Sequence, residues 1–473
     1  MLGAGPAGLT AAHVLASREC RATVFEADSS VGGIAKTVER DGFRFDLGGH
    51  RFFTKVRPIE RLWHTMLRED FLMRSRLSRI YYEGQFFSYP LVARDVVGRL
   101  GIVESFRCAL SYVASRVNRH RRPDVTFEDW VTSRFGRRLY NSFFGPYTEK
   151  VWGIPGSQIQ SAWAAQRIKN FSLFKALLTI LRVRRQHVTT LIEEFRYPRL
   201  GPGQMWEAFA ERARGAGIDV KLRHRCVGVE HDDGNITGIV IEHQDARTRH
   251  EVDGVISTLA LQDLVLAMDP PAPAPVQAAA RQLHYRDFVL VALMTTERDP
   301  FPDNWIYLHD PDTRAGRVQN FGAWSEAMVR PGHSCLGVEY FCFQGDELWE
   351  MPETQMVELA REELGRIGLI DPAKVVGGVK VRVPKAYPVY DPGYVEATAT
   401  IRTYLEQFSN LQTCGRNGLH RYNNQDHSMW TAVLAAVNLV DGASHDVWSV
   451  NVDADYLEEG DVVDDVLNVE LVE

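Results

Sequence analysis

The stretch GPYTEKVWG, residues 145–153, combines side chains that could bind and orient a polar ligand. Tyr147 and Trp152 supply two flat aromatic faces, and Glu149 and Lys150 place an acid and a base between them. Glycine stands at both ends, where it allows the backbone to turn tightly. Because aromatic rings also dominate large cores, packing is the alternative role for each ring. The combination predicts one wall of a ligand site, and other residues must identify the ligand.

The first residues of the chain carry a second pattern with chemical potential. Gly3, Gly5 and Gly8 have G-x-G-x-x-G spacing, and an alanine-rich helical pattern follows them. Such glycines allow a tight turn and a close approach of the backbone to a pyrophosphate, which the helix N-terminus then faces. The strand RATVF ends at Glu26, 18 residues after Gly8, where a carboxylate can accept hydrogen bonds from a ribose. A dinucleotide site is favoured over the alternative, a glycine turn followed by a surface acid.

Two later segments are predicted to complete the domain that holds this site. Residues 219–261 alternate apolar and polar side chains with turn signals, which indicates a β-meander that ends in the buried strand GVIST. Residues 411–442 read as a strand, a Gly-Arg turn and a long alanine-rich helix. Since no second G-x-G-x-x-G follows a strand, we expect one dinucleotide site. Electrons would then be exchanged with a diffusible partner.

Composition and charge exclude several other classes of protein. The chain has 473 residues, 45% of them hydrophobic and 24% charged, which is ordinary for a globular protein of two or three domains. A formal net charge of −7 argues against a dedicated nucleic-acid binder, which presents a basic face to phosphates. The six cysteines form no C-x-x-C pair, so neither a disulfide framework nor a metal site is predicted. This cysteine pattern favours a cytoplasmic protein.

No run of about 18 apolar residues predicts a membrane-spanning helix, and no signal peptide is indicated. The basic amphipathic segment 171–187 is expected to be a packed helix, with a helix lying on a membrane surface as the alternative. The basic run 116–124 is expected to be the solvated end of a helix that begins near Ile102. The acidic segment 452–473 is expected to be an exposed tail.

A glycine pair directly beyond Glu26, at Gly32 and Gly33, resembles the flavoproteins of the amine oxidase and protoporphyrinogen oxidase superfamily. The resemblance implies FAD rather than NAD as the cofactor. It also implies that Val227 holds the adenine through its backbone. The candidates at the later Gly-Arg turn, which the resemblance brings to the pyrophosphate and the flavin ring, are Gly415, Arg416 and Asp426.

Within that superfamily, YTEKVWG resembles the Tyr-Thr-x-Lys-x-Trp-Gly signature of UDP-galactopyranose mutases. Further short matches follow the order of that family along the whole chain: LGGHRFFTK at 47–55, RIKN at 167–170, YPRLGPGQMWEAFA at 197–210, DTR at 312–314 and GRNGLHRYNNQD at 415–426. No single match is specific, but their order is. The resemblance therefore implies a flavoenzyme that acts on a nucleotide-activated sugar.

The same resemblance implies a role for each candidate residue. In the family, reduced flavin attacks the anomeric carbon through N5, the nucleoside diphosphate leaves, and the sugar ring contracts. Arg167 and Arg314 would hold the diphosphate, because a guanidinium matches phosphate oxygens with paired donors. His50 would lie beside the flavin. The aromatic walls of the site would be Tyr147, Trp152, Tyr307 and Tyr422.

Departures from the mutase pattern keep other functions open. AGRVQNFGAWS follows the DTR match, Val151 stands where glutamine is usual, and RIKNF replaces an Arg-Ile-Pro-Val-Arg run. These changes fall where a sugar and a nucleobase would be recognised, so the substrate can differ from UDP-galactose. The first alternative is an oxidase or dehydrogenase of an amine, an alcohol or a C–C bond. A cofactor-bound interaction protein is the second.

The predicted fold is α/β, with a discontinuous Rossmann-like FAD domain, a helical insertion and a mixed β-sheet substrate domain. The proposed boundaries are 1–90, 191–265 and 376–451 for the FAD domain, 91–190 for the helices, 266–375 for the substrate domain and 452–473 for the tail. Met1 and Leu2 supply little of the strand that leads into Gly3. We therefore expect that strand to begin upstream of Met1.

Overall fold

The computed structural model describes residues 1–89, 98–99, 101–118, 124–161 and 194–450. Several predicted features lie wholly or partly outside these ranges: the RIKN match at 167–170 with Arg167, the segment 171–187, the acidic tail 452–473, residues 119–123 of the basic helix end, and much of the helical domain at 91–190.

Helices and strands are interspersed through the described residues. The helices are α1 (Pro6–Ser17), α2 (Arg57–Leu67), α3 (Ile102–Asn118), α4 (Phe127–Phe135), α5 (Arg137–Leu139), α6 (Gly145–Trp152), α7 (Gly203–Gly215), α8 (Leu261–Leu266), α9 (Ala274–Gln282), α10 (Phe321–Trp324), α11 (Glu347–Glu350), α12 (Glu353–Arg366), α13 (Tyr394–Leu405), α14 (Gly415–Gly418) and α15 (Gln425–Asp441). The strands are β1 (Thr23–Glu26), β2 (Thr37–Arg40), β3 (Phe43–Asp46), β4 (Phe71–Ser75), β5 (Ser78–Tyr82), β6 (Gln85–Ser88), β7 (Glu194–Pro198), β8 (Asp219–Leu222), β9 (Arg225–Asp232), β10 (Asn235–His243), β11 (Ala246–Glu251), β12 (Val255–Ser257), β13 (Met268–Asp269), β14 (Tyr285–Thr295), β15 (Trp305–Leu308), β16 (Arg317–Asn320), β17 (Ser334–Cys342), β18 (Val375–Pro388) and β19 (Leu411–Thr413).

A parallel layer is assembled from segments that lie far apart in the chain. β1 pairs with β8, and β12 pairs with β19, both in parallel. Leu2 joins the two pairs, because it bridges in parallel to Phe25 on one side and to Ser257 on the other. The alanine-rich helices α1 and α15 pack on each other and, with α7, enclose one apolar core. This arrangement is the Rossmann-like α/β layer predicted from the sequence.

The largest sheet in the described residues has seven strands in the order β18-β14-β17-β16-β15-β5-β6. β15 and β5 run in parallel, and the other neighbours are antiparallel, so the sheet is mixed. All residues of β14 and β17 are buried, as their apolar runs predict for strands covered on both faces. Because the sheet also takes in 78–88 and 375–388, the domain boundaries at 90 and 376 stay a proposal.

A buried carboxyl group joins the α/β layer to the loop that carries His50. Asp46, at the end of β3, is fully buried and accepts hydrogen bonds from the hydroxyls of Tyr197 and Thr37. Thr37 Oγ1 in turn accepts one from the backbone N–H of Gly203 at 3.0 Å. A Cβ on Gly201 would lie 2.4 Å from Thr37 Oγ1, so the loop at 198–203 needs glycine there. The network fixes residues 47–50 against the start of α7.

Asp46 should make the stability of the fold depend on pH. Burial raises the pKa of Asp46 to about 8, although its two hydroxyl donors oppose this shift. The folded protein therefore keeps a proton that the unfolded chain releases above about pH 4, and the free energy of unfolding should fall as pH rises from about 4 to 8. In thermal melts across this range, Asp46→Asn should flatten the slope, and Asp233→Asn in an exposed turn should not. An unchanged slope in Asp46→Asn would contradict the assignment.

Candidate functional site

The glycine turn before α1 is packed so closely that two of its positions exclude a side chain. Gly3 has φ +101°, and a Cβ there would lie 2.2 Å from Thr258 Oγ1. A Cβ on Gly8 would lie 1.9 Å from the carbonyl oxygen of Gly3. α1 begins with Pro6 and has no side-chain cap among the described residues. Its first N–H groups are therefore available to an anion in front of the helix.

Gly5 and Glu26 face the space in front of α1. A Cβ on Gly5 would meet only Gly33, whose Cα is 3.8 Å away, so bare backbone lines both sides of a groove. Gly32, at φ +103°, donates its N–H to the carbonyl of Ala4 at 2.8 Å, which holds the glycine pair against the turn. Glu26 Oε2 accepts from the N–H of Ala4 at 2.7 Å. The carboxylate predicted to bind a ribose thus lies at the edge of this groove.

The Gly-Arg turn reaches the same helix from the other end of the chain. Gly415 has φ +82°, and a Cβ there would lie 2.9 Å from the Cβ of Ala7 in α1. The Arg416 guanidinium carbon lies 4.2 Å from the ring centroid of Tyr422 and 5.0 Å from that of Tyr387. Nε and Nη2 of Arg416 are buried and have no hydrogen-bond partner among the described residues. The turn therefore presents unused donors where the sequence predicts the cofactor.

The other two predicted cofactor residues lie in elements next to this region. Asp426 is buried in the first turn of α15, the helix that packs on α1. Val227 is half-buried in β9, close behind β8 in the chain. Contacts of these residues with the cofactor stay predictions.

The predicted aromatic residues meet in two ring groups that both lie near Arg317. Tyr147 of α6 stacks on His309 with ring centroids 4.0 Å apart and lies edge-on to Tyr307 at 5.9 Å. Trp152, at the other end of α6, lies 6.4 Å from Tyr422. Tyr387 completes the second group, because it stacks on Tyr422 at 5.4 Å and meets Trp152 at 6.0 Å. We call Tyr147, Trp152, Tyr307, Tyr387 and Tyr422 the aromatic cage.

A buried ion pair stands beside the cage. Arg317 Nε donates to Glu339 Oε1 at 2.9 Å, and Gln319 Nε2 donates to the same oxygen. Arg317 Nη2 also approaches the hydroxyl of Tyr387 at 3.4 Å. Glu339 is fully buried in β17, directly opposite Arg317 of β16. The pair therefore holds a guanidinium at the cage.

The structure does not bring Arg314 to this place. Its guanidinium pairs with Glu347 at 3.1 Å, and its side chain is 42% exposed. The sequence motifs did not identify Arg317. The signal that could have done so is its alternation with Gln319 in a buried strand, which places both side chains on one face of the sheet.

His50 lies close to the guanidinium groups of Arg416 and Arg317. Burial, together with the charges of Arg416 and Arg317, lowers the pKa of His50 to about 3, so its imidazole is neutral at physiological pH. Its Nδ1 has no partner among the described residues. Gly48, two residues before it, has φ +107°, and a Cβ there would lie 3.8 Å from Glu339 Oε1. His50 can therefore give or accept one hydrogen bond at the cage without adding charge.

The cation of the YTEKVWG stretch does not line the cage. Lys150 Nζ donates to four backbone carbonyls, those of Leu308, Asp310, Thr313 and Ala315, at 2.6 to 3.3 Å. The buried Glu363 holds the same loop through the N–H groups of Arg314 and Ala315. Lys150 and Glu363 thus clamp residues 308–315, the connection between the strands that carry Tyr307 and Arg317.

Gly153, the last glycine of the GPYTEKVWG stretch, leaves space for the side chain of Arg286. Gly153 caps α6 in a left-handed conformation, and a Cβ there would lie 2.6 Å from Arg286 Nη1. Arg286 donates to the carbonyls of Lys150, Val151 and Phe341 at 3.1 to 3.3 Å. These bonds connect the end of α6 to β17. A side chain at position 153 would displace Arg286, so glycine is needed there to hold the helix that carries Tyr147 and Trp152.

These features fit a dinucleotide cofactor. The bare groove, the uncapped helix and the unused donors of Arg416 match a pyrophosphate, and Glu26 stands where a ribose would follow. No group of three or more His, Cys, Asp or Glu side chains that could hold a metal occurs in the described ranges. Within the same ranges, no helix has both the length and the apolar character needed to cross a bilayer.

Residues 6–416 match the model of the family described as flavin containing amine oxidoreductase, so the chain belongs to that family. It is a FAD-dependent enzyme of the amine oxidase superfamily, as the glycine pair after Glu26 predicts. A 48-residue stretch is 44% identical to the 4,4'-diapophytoene desaturase (4,4'-diaponeurosporene-forming) of Staphylococcus aureus (strain COL). That stretch spans 10% of this chain and 10% of the desaturase.

Solved structures share the fold over nearly the whole chain. A reduced UDP-galactopyranose mutase superposes with a TM-score of 0.84 at 21% identity, covering 96% of this chain and 97% of the mutase. A CLA-producing fatty acid isomerase from P. acnes gives a TM-score of 0.62 at 12% identity over 93% of this chain and 97% of the isomerase. Putrescine oxidase bound to putrescine gives 0.61 at 15% identity over 93% and 98%.

Two glycine substitutions should separate packing from cofactor binding. Gly8→Ala places a methyl group 1.9 Å from a carbonyl oxygen, so the protein should lose FAD and melt at a markedly lower temperature. Gly5→Ala meets no atom closer than 3.8 Å, so the apoprotein should keep its melting temperature but bind FAD more weakly. FAD absorbance and thermal melts of apoprotein and holoprotein measure both effects. Equal melting temperatures for the two apoprotein variants would contradict this packing.

Glu26→Ala and Arg416→Ala should each weaken FAD retention. A lost hydrogen bond to a charged group costs about 1.5 to 3 kcal/mol, so the Kd for FAD should rise by roughly 10- to 150-fold. Titration of FAD into apoprotein measures the change, and Arg247→Ala, at an exposed position of β11, is the control. Unchanged affinity in both site variants would refute the assignment of this groove.

Proposed function

We propose that this enzyme is a redox-neutral mutase of a nucleotide-activated sugar, with ring contraction of a UDP-galactopyranose-like substrate as its reaction. Support comes from the order of the mutase-like motifs along the chain and from the fold shared with a UDP-galactopyranose mutase. The observation that carries the proposal is the juxtaposition of the aromatic cage with Arg317 and Arg416.

The guanidinium donors at the cage favour a phosphate-bearing substrate. Arg416 has unused donors among the described residues, and Arg317 lies at the hydroxyl of Tyr387. His50 stays neutral, so it adds no charge of its own. Glu339 offsets the charge of Arg317, and the pyrophosphate of FAD would offset that of Arg416. The paired guanidinium donors nevertheless match phosphate oxygens better than they match an ammonium group.

The arginine beside the aromatic cage would act on the phosphate groups of the substrate. Arg317 would bind a phosphate oxygen of the substrate and stabilise the negative charge of the departing diphosphate. We assign this role to Arg317 instead of Arg314, because Arg317 lies at the hydroxyl of Tyr387, whereas the Arg314 side chain is 42% exposed and pairs with Glu347. Arg167, which lies outside the described residues, stays a proposed second ligand.

The aromatic faces would position the sugar and exclude water. Tyr147 and Trp152 are five residues apart in α6, so their rings point in different directions and would line different parts of the site. When bound, reduced FAD supplies the nucleophile N5. His50 would donate or accept one hydrogen bond at the edge of the flavin, in a fixed protonation state.

A charge-conserving pair of variants tests the assignment. Arg317→Lys keeps a cation opposite Glu339 but loses the paired donors, so kcat/KM for UDP-galactopyranose should fall by about 10- to 100-fold. Arg314→Lys should change it by less than about twofold, because exposed ion pairs contribute little. Both variants should keep their FAD. The measurement is turnover by dithionite-reduced enzyme without stoichiometric oxygen consumption.

Failure of the reduced enzyme to turn over nucleotide sugars would favour net oxidation of an amine, an alcohol or a C–C bond. The stretch similar to a desaturase makes C–C oxidation the relevant alternative. If nucleotide sugars neither bind the reduced enzyme nor slow its reoxidation, and a reduced substrate bleaches the oxidised flavin anaerobically, the mutase proposal is wrong.

A further inference from the structure

Helix α3 turns its apolar side away from the protein. Five of its side chains are 55% to 71% exposed: Val103, Phe106, Leu110, Val113 and Val117. Their alternating spacing of three and four residues places them in one continuous line along the helix. We call these residues the α3 stripe. A surface helix of a globular protein normally turns such a line toward the core, whereas α3 turns it toward solvent.

Polar contacts hold α3 with its apolar side toward solvent. Glu104 forms a two-pronged ion pair with Arg138, and Ser111 Oγ accepts the N–H of Arg138 at 3.0 Å. A Cβ on Gly136 would lie 2.8 Å from the backbone nitrogen of Tyr112, so the helix backbone rests on the chain before α5. Rotating the stripe inward would break all of these contacts. The exposed line is therefore fixed by the fold.

The surface around the stripe is positively charged. Arg99, Arg107 and Arg116 are exposed, and Glu104 is the one acidic residue between 98 and 118 in the sequence. Glu104 is engaged by Arg138 and Arg107. The sequence continues with three more arginines at 119–122. The stripe is thus flanked by cations, with no acid to balance them on the exposed face of the described helix.

We propose that the α3 stripe and its arginines dock the enzyme on an anionic lipid surface. A helix with Phe, Leu and Val on one side and arginine beside them can lie in the plane of a membrane, with its apolar side among the acyl chains. Each basic residue near an anionic leaflet adds electrostatic attraction. A second copy of the chain fits less well, because pairing two stripes would bring the arginines of both copies together without an acidic counterpart. The inference does not depend on which reaction the enzyme catalyses.

Vesicle flotation of the full-length holoenzyme tests the proposal. The protein should float with vesicles that contain phosphatidylglycerol and not with pure phosphatidylcholine, and high salt should release it. Phe106→Ser with Leu110→Ser should lower the bound fraction at least about tenfold, as should Arg107→Gln with Arg116→Gln. Val376→Ser, at a site that is 61% exposed in β18, removes an equally exposed apolar side chain elsewhere and should have no effect.

Three results would overturn the proposal. These are the absence of flotation with anionic vesicles at low salt, equal flotation of the control and the stripe variants, and a dimer in sedimentation that the serine variants dissociate. The last result would assign the stripe to a second copy of the chain. FAD content and thermal melts confirm that each variant is folded. Because the arginine pair leaves the stripe intact, it tests the charge argument even if the serine pair is unstable.

Discussion

The buried ammonium group of Lys150 is the contact on which the site depends. It connects α6 to the loop at 308–315, and Glu363 holds the other side of that loop. Arg286, the stack of Tyr147 on His309 and the contact of Trp152 with Tyr387 also join this helix to the sheet and its loop. Charged donors to several carbonyls are among the strongest hydrogen bonds in proteins. Lys150 thereby ties the helical wall of the cage to the loop between two strands of the sheet wall.

Local sequence signals predicted the glycine turn and the FAD cofactor. The glycines at 3, 5 and 8 are required by close contacts or a bare groove, so their spacing carries the geometry directly. Glu26 follows from the same short-range rules, whereas the role of the Gly-Arg turn and the choice of FAD came from the resemblance to the superfamily, and the family match confirms FAD. The aromatic residues of the YTEKVWG stretch do meet Tyr307 and Tyr422, as their order along the chain implied.

Features that depend on strand register or on helix rotation were not predictable in this way. Arg317 reaches the cage because it lies opposite Glu339 in the neighbouring strand, and no short motif encodes that pairing. Arg314 matched a short motif, yet its backbone is held by Glu363 and its side chain turns outward. Periodicity likewise predicted α3 but not which side faces the protein, because Gly136 and Arg138 decide that from a later segment.

Tryptic cleavage at Arg314 in the native holoenzyme tests the role of Lys150 most directly. Arg314 is exposed, but the backbone around it is held by Lys150 and Glu363, and a protease needs that backbone to open. Lys150→Met should speed cleavage there while FAD stays bound. Lys380→Met is the matched control, because Lys380 donates to three carbonyls, those of Leu348, Trp349 and Met351, away from this loop. Mass spectrometry of the first peptides released should show a cut after Arg314 in Lys150→Met alone. Equal rates in both variants and the wild type would contradict the account.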